Sequence, residues 1–210
     1  GHTHRDVLPG LAGIHRATHQ IGGTRYPGLT HIDRAKSMRP HVRLAAVPTG
    51  SQIAKRVAGS YFHDTYEVDV NDLERTALGH FLAAVSQTPA WVEVLMQLRN
   101  RIVGLVGLKN LGTLGGIDAA KPESSYKPGD RVGVFTLQSN ERHEVIVADN
   151  DKHLEVILSL VVLPRNEEQP QRVSLTTVVH VHNLLGRIYM VPVTPMHKLI
   201  ARAVVARIAA

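Results

Sequence analysis

The sequence predicts an α+β domain built on an antiparallel sheet, with a long helix at its C-terminal end. Three observations support this prediction. Apolar and polar residues alternate over short segments, as in half-buried strands. The links between the later segments are too short for parallel crossovers. Residues 183–208 return to helical spacing, so the order of elements predicts that a final helix packs on the concave side of the sheet.

The first part of the domain is predicted to contain one strand followed by two helices. Residues 61–70 alternate as a strand should. Asn71, with Glu74 three residues later, predicts the N-cap of a first helix, and Thr88–Pro89 predicts the start of a second. Residues 107–130 contain five glycines and two prolines, which is typical of a long loop.

The second part is predicted to contain four strands and the last helix. The strand-like segments are Arg131–Gln138, His143–Asp149, His153–Leu163 and Arg172–His182. Together with the first strand they give about five strands, and their short polar links predict a meander. We expect the helix from Asn183 to Ile208 to be kinked at Pro192 or Pro195, or to restart at Thr194–Pro195.

The distribution of charge divides the chain into a basic extension and a nearly neutral domain. The chain has 210 residues, 43% of them apolar, and a formal charge of +6. Residues 1–45 carry +5 of this charge and six of the thirteen histidines. We therefore predict a basic, His-rich tail over 1–45 and a single α+β domain over 46–210. Because the domain itself is almost neutral, we expect no nucleic-acid partner.

Several classes of function are excluded by residues or motifs that the sequence lacks. Cysteine is absent, which excludes disulfides, thiolate catalysis and cysteine-ligated metals. The glycine-rich segment fits neither a phosphate-binding loop nor a dinucleotide fingerprint, and the sequence has no serine-hydrolase or zinc-protease motif. We expect no cofactor. The first residues show no secretory signal, so we expect a cytoplasmic protein.

Three groups of residues carry a resemblance to a known family. They are Trp91, Leu95, Arg99, Asn100, Gly107, Leu108 and Lys109; Asp151, His153 and Leu154; and Thr177, His182, Asn183, Gly186, Arg187, Tyr189, Pro195 and His197. From about residue 58 to its end, the chain resembles the bacterial domain-of-unknown-function family 2867 (DUF2867). It departs from the family at Met196, where a Phe is common.

The resemblance implies a fold and a type of partner. Such domains look like small members of the helix-grip superfamily (START/Bet v 1-like, SRPBCC), which includes lipid-transfer proteins, pollen allergens and polyketide cyclases. Larger relatives have seven strands, whereas the present sequence predicts five. Relatives are also attached to nicotinamide-dependent reductase-like domains, which implies a reductase-like partner for this chain.

The candidate site is the junction between the last strand and the last helix. There Arg187 can bind a carboxylate or phosphate, His182 can move a proton, and Tyr189 can add a hydroxyl beside an apolar wall. In the structural alternative, Asn183 caps the helix and Tyr189 fills the core. That alternative also has Gly186 permitting close packing and Arg187 pairing with an acid such as Glu67.

Two further residues complete the predicted ligand-binding set. His180 lies two residues before His182, so both rings point to one face of a strand. With Glu155 or His153 they have the residue types of a metal site, but we expect no metal and favour hydrogen bonding to neighbours. Trp91, one of the residues that carry the resemblance, is the other addition.

The sequence leaves three hypotheses of function open. The first is a module that binds a small apolar or amphipathic ligand between the sheet and the C-terminal helix. The second is an enzyme that uses His182 and Arg187 for acid–base chemistry or carboxylate orientation. The third is a structural or interaction protein without a ligand. The basic residues on one side of the last helix are expected to solvate a surface, and a membrane partner is not expected.

Overall fold

The computed structural model describes residues 40–105, 117, 121–165 and 169–209. In these residues seven strands form one antiparallel sheet, accompanied by three α-helices. The strands are β1 Arg43–Leu44, β2 Phe62–Val70, β3 Arg131–Val132, β4 Phe135–Asn140, β5 Glu144–Asn150, β6 Leu154–Val162 and β7 Gln171–Val181. The helices are α1 Ala77–Ser86, α2 Ala90–Leu105 and α3 Leu184–Ile208. The predicted α+β class, antiparallel sheet and long C-terminal helix are confirmed.

The strand order across the sheet is β1-β2-β7-β6-β5-β4-β3. Strands β3 to β7 form the predicted meander, because each pairs with the next along the chain. Strand β2 pairs with β7 over nine residues, from Phe62 opposite Val179 to Val70 opposite Gln171. The two helices that follow β2 therefore connect one side of the sheet to the other.

The prediction of about five strands is wrong, because two very short strands were missed. Strand β1 has two residues, too few to show alternation, and it lies within the predicted tail. The segment Arg131–Gln138 is not one strand but a hairpin of β3 and β4. Gly133 turns the chain there with a φ of 58°, a conformation that glycine adopts without steric cost. The tail up to residue 39 lies outside the described residues.

The predicted start of the first helix is also wrong. Thr76 caps α1, and its hydroxyl accepts a hydrogen bond from the Gly79 N–H at 3.1 Å. Asn71 lies five residues earlier, and Asp72 closes a turn by accepting hydrogen bonds from two following backbone N–H groups. Short polar side chains suit turns as well as caps, so sequence did not distinguish the two roles.

The predictions for the other helices are partly confirmed. Helix α2 begins directly after Pro89, but the Thr88 hydroxyl donates to the carbonyl of Val85 and so serves the end of α1. Helix α3 runs through both of its prolines, and the restart at Thr194–Pro195 does not occur. Most of the loop predicted over 107–130 lies outside the described residues.

The inner face of the sheet packs against α1 and α3 and contains the main core. From the sheet it takes apolar residues such as Val68, Leu160 and Leu175. Phe81 of α1 and Val205 of α3 cover them. The alternation of β2 and β7 places these side chains on one face, so burial of that face fixes where α3 lies.

The outer face is covered by the segment between β1 and β2. Ile53, in a short 3-10 helix, is fully buried against apolar residues of β5, β6 and β7. The Glu144 carboxylate holds this segment in place, because it accepts hydrogen bonds from the backbone N–H groups of Gln52 at 2.8 Å and Ile53 at 3.1 Å. The Ser159 hydroxyl donates a third hydrogen bond, at 2.8 Å.

Glu144→Gln is expected to lower the free energy of unfolding by about 2 kcal/mol. A neutral amide oxygen accepts weaker hydrogen bonds than a carboxylate, and the amide NH₂ group, which replaces the other oxygen, would face a hydrogen-bond donor instead of accepting from it. Urea denaturation measures the change. Glu141→Gln, three residues away and exposed, serves as the control and should change stability by less than about 0.5 kcal/mol. Equal effects of the two substitutions would contradict the anchoring role of Glu144.

His80 of α1 is expected to make the protein less stable in mild acid. The side chain is 1% exposed, and burial lowers its pKa, as does the charge of Arg75. Because the unfolded state then binds the proton of this histidine more readily than the folded state does, the protein loses stability as the pH falls below about 6.5, the pKa of an unfolded-state histidine. His80→Leu should therefore gain stability relative to wild type between about pH 7.5 and 5.5. A pH-independent difference in thermal or urea denaturation would refute this, and the exposed His63→Leu is the matched control.

Candidate functional site

A cavity of about 170 Å³ lies between the inner face of the sheet and α3. The three α-helices and the strands β4 to β7 contribute to its lining. The lining residues are Phe81, Val85, Met96, Val134, Phe135, Asp149, Asp151, Leu154, Val156, Leu158, Leu175, Thr177, Tyr189, Val193, Met196, His197, Ile200, Ala201 and Val204. Fourteen of these nineteen are apolar, so the cavity is an apolar chamber with a few polar groups in its wall.

The best-defined polar contact at this wall is a hydrogen bond between His197 of α3 and Asp64 of β2. His197 Nε2 lies 3.1 Å from Asp64 Oδ1, and Asp64 is only 8% exposed. The ring of Phe62 meets the imidazole edge-on, with 5.5 Å between the ring centroids. The imidazole is thus held by a hydrogen bond and by an aromatic contact.

The register of the sheet adds a hydroxyl to this polar group. Asp64 of β2 stands directly opposite Thr177 of β7, and Thr177 lines the cavity with 2% of its surface exposed to solvent. On α3, Val193, His197 and Ala201 are spaced by four residues, so they occupy one stripe that faces the sheet. Strand pairing and helical spacing together bring His197 over the Asp64 and Thr177 pair.

Carboxylates dominate the charge around the cavity. Asp149 is 7% exposed, and its Oδ1 lies 3.9 Å from an Arg131 guanidinium nitrogen. Asp151 uses its Oδ1 to accept from the backbone N–H groups of His153 and Leu154, which shapes the turn between β5 and β6. Burial raises the pKa of Tyr66, and the charge of Asp64 raises it further.

Two wider depressions, of about 560 and 420 Å³, lie elsewhere on the described part of the chain. The first runs along β1 and β2 and includes the exposed side chains of Lys198 and Arg202. The second lies beside the 3-10 helix and includes Arg142 and His143, which are also exposed. Both also contain buried polar groups, such as Asp64 in the first and Glu144 in the second, but exposed basic side chains form part of their walls. The inner cavity is lined mainly by apolar side chains and is therefore the candidate site.

Only one of the six predicted site residues lines this cavity, and it is Tyr189. Asn183 is the N-cap of α3: its Oδ1 accepts from the Gly186 N–H at 3.1 Å and its Nδ2 donates to the Lys152 carbonyl at 2.9 Å. A Cβ atom at Gly186 would clash with the His153 carbonyl oxygen. The structural alternative is therefore confirmed for Asn183 and Gly186.

The other predicted residues lie outside the cavity. His180 donates from Nε2 to the Arg56 carbonyl at 2.9 Å, and His182 donates from Nδ1 to the Asp151 carbonyl at 3.2 Å. Arg187 is exposed on α3. Trp91 is 44% exposed near the start of α2.

Two predicted partnerships differ from the structure. Glu67 does not pair with Arg187, because Arg43 and Arg172 lie 3.4 and 3.1 Å from its carboxylate. Glu155 stands beside His180 in the sheet, as the metal hypothesis requires, but it pairs with Arg56 at 3.3 Å. The residues that the structure describes contain no cluster of three or more His, Asp or Glu side chains suited to a metal.

Asp64, Thr177 and His197 were missed as site residues, although the sequence contains a signal for each. Asp64 falls on the apolar face of β2, between Phe62 and Tyr66 in the alternation, where a carboxylate needs a partner. Thr177 and His197 both belong to the residues that carry the family resemblance. No short-range pattern joins the three, because their proximity depends on sheet register.

Fold and cavity together define a small α+β domain in which one helix closes an apolar chamber over a sheet. The chain belongs to the family described as "Protein of unknown function (DUF2867)", which matches residues 56–204. No curated protein and no solved structure gives a match. Among the described residues, no helix has the length and apolar character needed to cross a membrane.

Substitutions at the strand–helix junction are expected to separate its structural residues from its exposed ones. Asn183→Ala removes the α3 cap and should cost about 1 kcal/mol of stability. Arg187→Met, at an exposed position on the same helix, should change the free energy of unfolding by less than about 0.5 kcal/mol. Chemical denaturation of both variants measures this, and a larger loss for Arg187→Met would contradict the arrangement described.

Proposed function

We propose that the chain is a small helix-grip domain that binds a small, mainly apolar ligand between the sheet and α3. The cavity of about 170 Å³ carries this proposal. An apolar cavity of roughly 150 Å³ is large enough to hold benzene, so this one fits a single substituted ring or a short branched chain. An apolar chamber of this size favours such a ligand over water.

The arrangement of elements supports the helix-grip part of the proposal. The seven-stranded antiparallel sheet, the helical connection after β2 and a 25-residue C-terminal helix against the inner face agree with the fold that the family resemblance implies. Met196 and Ile200 of α3 and Leu158 of β6 all line the cavity. The helix therefore supplies one wall of the proposed site and the sheet supplies the other.

The other two hypotheses receive less support. An enzyme built on His182 and Arg187 would need these side chains beside a bound substrate, but both are exposed and neither lines the cavity. A protein without a ligand needs no cavity, since interiors normally pack to high density. A preformed apolar chamber favours the binding hypothesis.

Filling the cavity is expected to abolish binding. Titration calorimetry with p-xylene tests this in wild type and in Ala201→Leu, because Ala201 lines the cavity and is 5% exposed. The larger side chain occupies the space of the ligand, so affinity should fall by at least about tenfold, a change of 1.4 kcal/mol. Saturable binding to wild type with a dissociation constant below the millimolar range is expected.

Ala206→Leu is the matched control, since Ala206 lies on the same helix outside the cavity lining. Its affinity for p-xylene should equal that of wild type. Because overpacking can destabilise a core, Val193→Phe provides a second cavity-filling variant. The proposal is abandoned if wild type does not bind, or if the cavity-filling variants bind as well as the control.

A further inference from the structure

We propose that the His197–Asp64 pair makes the cavity selective for a ligand that carries a neutral hydroxyl group. Such a ligand would bind more tightly than a hydrocarbon or a carboxylate of the same size. This inference rests on the proposed function, because it concerns which ligand the same cavity accepts. It assigns a role to two residues that lie away from the strand–helix junction.

The hydrogen bond to Asp64 determines which nitrogen of His197 can accept a hydrogen bond from a ligand. A carboxylate oxygen can only accept, so Nε2, at 3.1 Å from Oδ1, carries the hydrogen. In the neutral ring the other nitrogen, Nδ1, is then an acceptor. Within the described residues Nδ1 has no hydrogen-bond partner, and the ring lines the cavity. The acceptor is thus available to a bound molecule.

Thr177 provides a complementary group on the same side of the cavity. It stands opposite Asp64 in the pairing of β2 with β7 and lines the chamber. Its hydroxyl can donate as well as accept. A hydroxyl on the ligand can likewise donate to His197 and accept from Thr177, whereas a methyl group in the same place leaves both polar groups unpaired.

The charges around the cavity disfavour an anionic ligand. Asp149 and Asp151 line the chamber, and Asp64 stands directly behind His197. His197 is the sole basic side chain among the described lining residues. Like charges repel, and no Lys or Arg belongs to the described lining residues, so a ligand carboxylate would approach three acidic groups, of which Asp149 has Arg131 at 3.9 Å. A neutral hydroxyl can hydrogen-bond to His197 and Thr177 without this repulsion, so it is the favoured group.

Three ligands that differ in one substituent test the inference. p-Xylene, p-cresol and p-toluate share the ring and a methyl group and carry a methyl, a hydroxyl or a carboxylate opposite it. At a pH of about 8 the phenol is neutral and the carboxylate is charged. Calorimetry should show p-cresol binding about three- to tenfold more tightly than p-xylene, the range expected for one added hydrogen bond, with p-toluate weakest. Equal affinities for p-xylene and p-cresol, or tightest binding of p-toluate, would overturn the inference.

His197→Phe should bring the affinity ratio of p-cresol to p-xylene close to one, because it keeps an aromatic ring and removes the acceptor. His63→Phe, at an exposed histidine of β2, should keep the wild-type ratio. If His197→Phe does not fold, ¹⁵N NMR of wild type decides: p-cresol should shift the His197 Nδ1 resonance and p-xylene should not, and equal shifts would refute the assignment. Absence of binding by both neutral ligands would refute the proposed function, whereas binding without preference would refute the selectivity alone.

Discussion

The pairing of β2 with β7 is the constraint on which the rest of the structure depends. It joins residues that lie more than a hundred positions apart, as in the pair of Phe62 with Val179, and it does so over nine residues. Closing so long a loop costs conformational entropy, which the ladder and the buried inner face must offset. Once formed, the pairing holds the meander to the first strands, and α3 packs across both.

The two faces of the sheet have different roles. On the outer face, Thr65 and Thr176 hydroxyls lie 3.0 Å apart, and the Glu144 carboxylate holds the covering segment. On the inner face, the helices leave a chamber, and the polar groups of its wall include His197 and Thr177. The apolar cavity therefore lies on the inner face, beneath α3.

The sequence was sufficient for the longer elements, because alternation in strands such as β2 and helical spacing in α3 are strong local signals. It was insufficient for β1 and for the β3–β4 hairpin, where two-residue strands show no period. The site was predicted only in part for a related reason. Tyr189 was identified beside the strand–helix junction, but His197 lies two turns further along α3 and meets Asp64 only through tertiary packing. The polar residues at the junction suggested a binding site, but two of them have structural roles. Asn183 caps α3, and His182 hydrogen-bonds to the Asp151 carbonyl in the turn between β5 and β6.

The central claim is that a small apolar ligand occupies the chamber between the sheet and α3. Isotope-filtered NMR of ¹³C-methyl-labelled protein with p-xylene tests it most directly. The account predicts intermolecular NOEs from the ligand to the methyl groups of Leu158, Val193 and Ile200, which line the chamber. NOEs confined to the outer-face residues Ile157 and Val178, or no NOEs at saturating ligand, would contradict it.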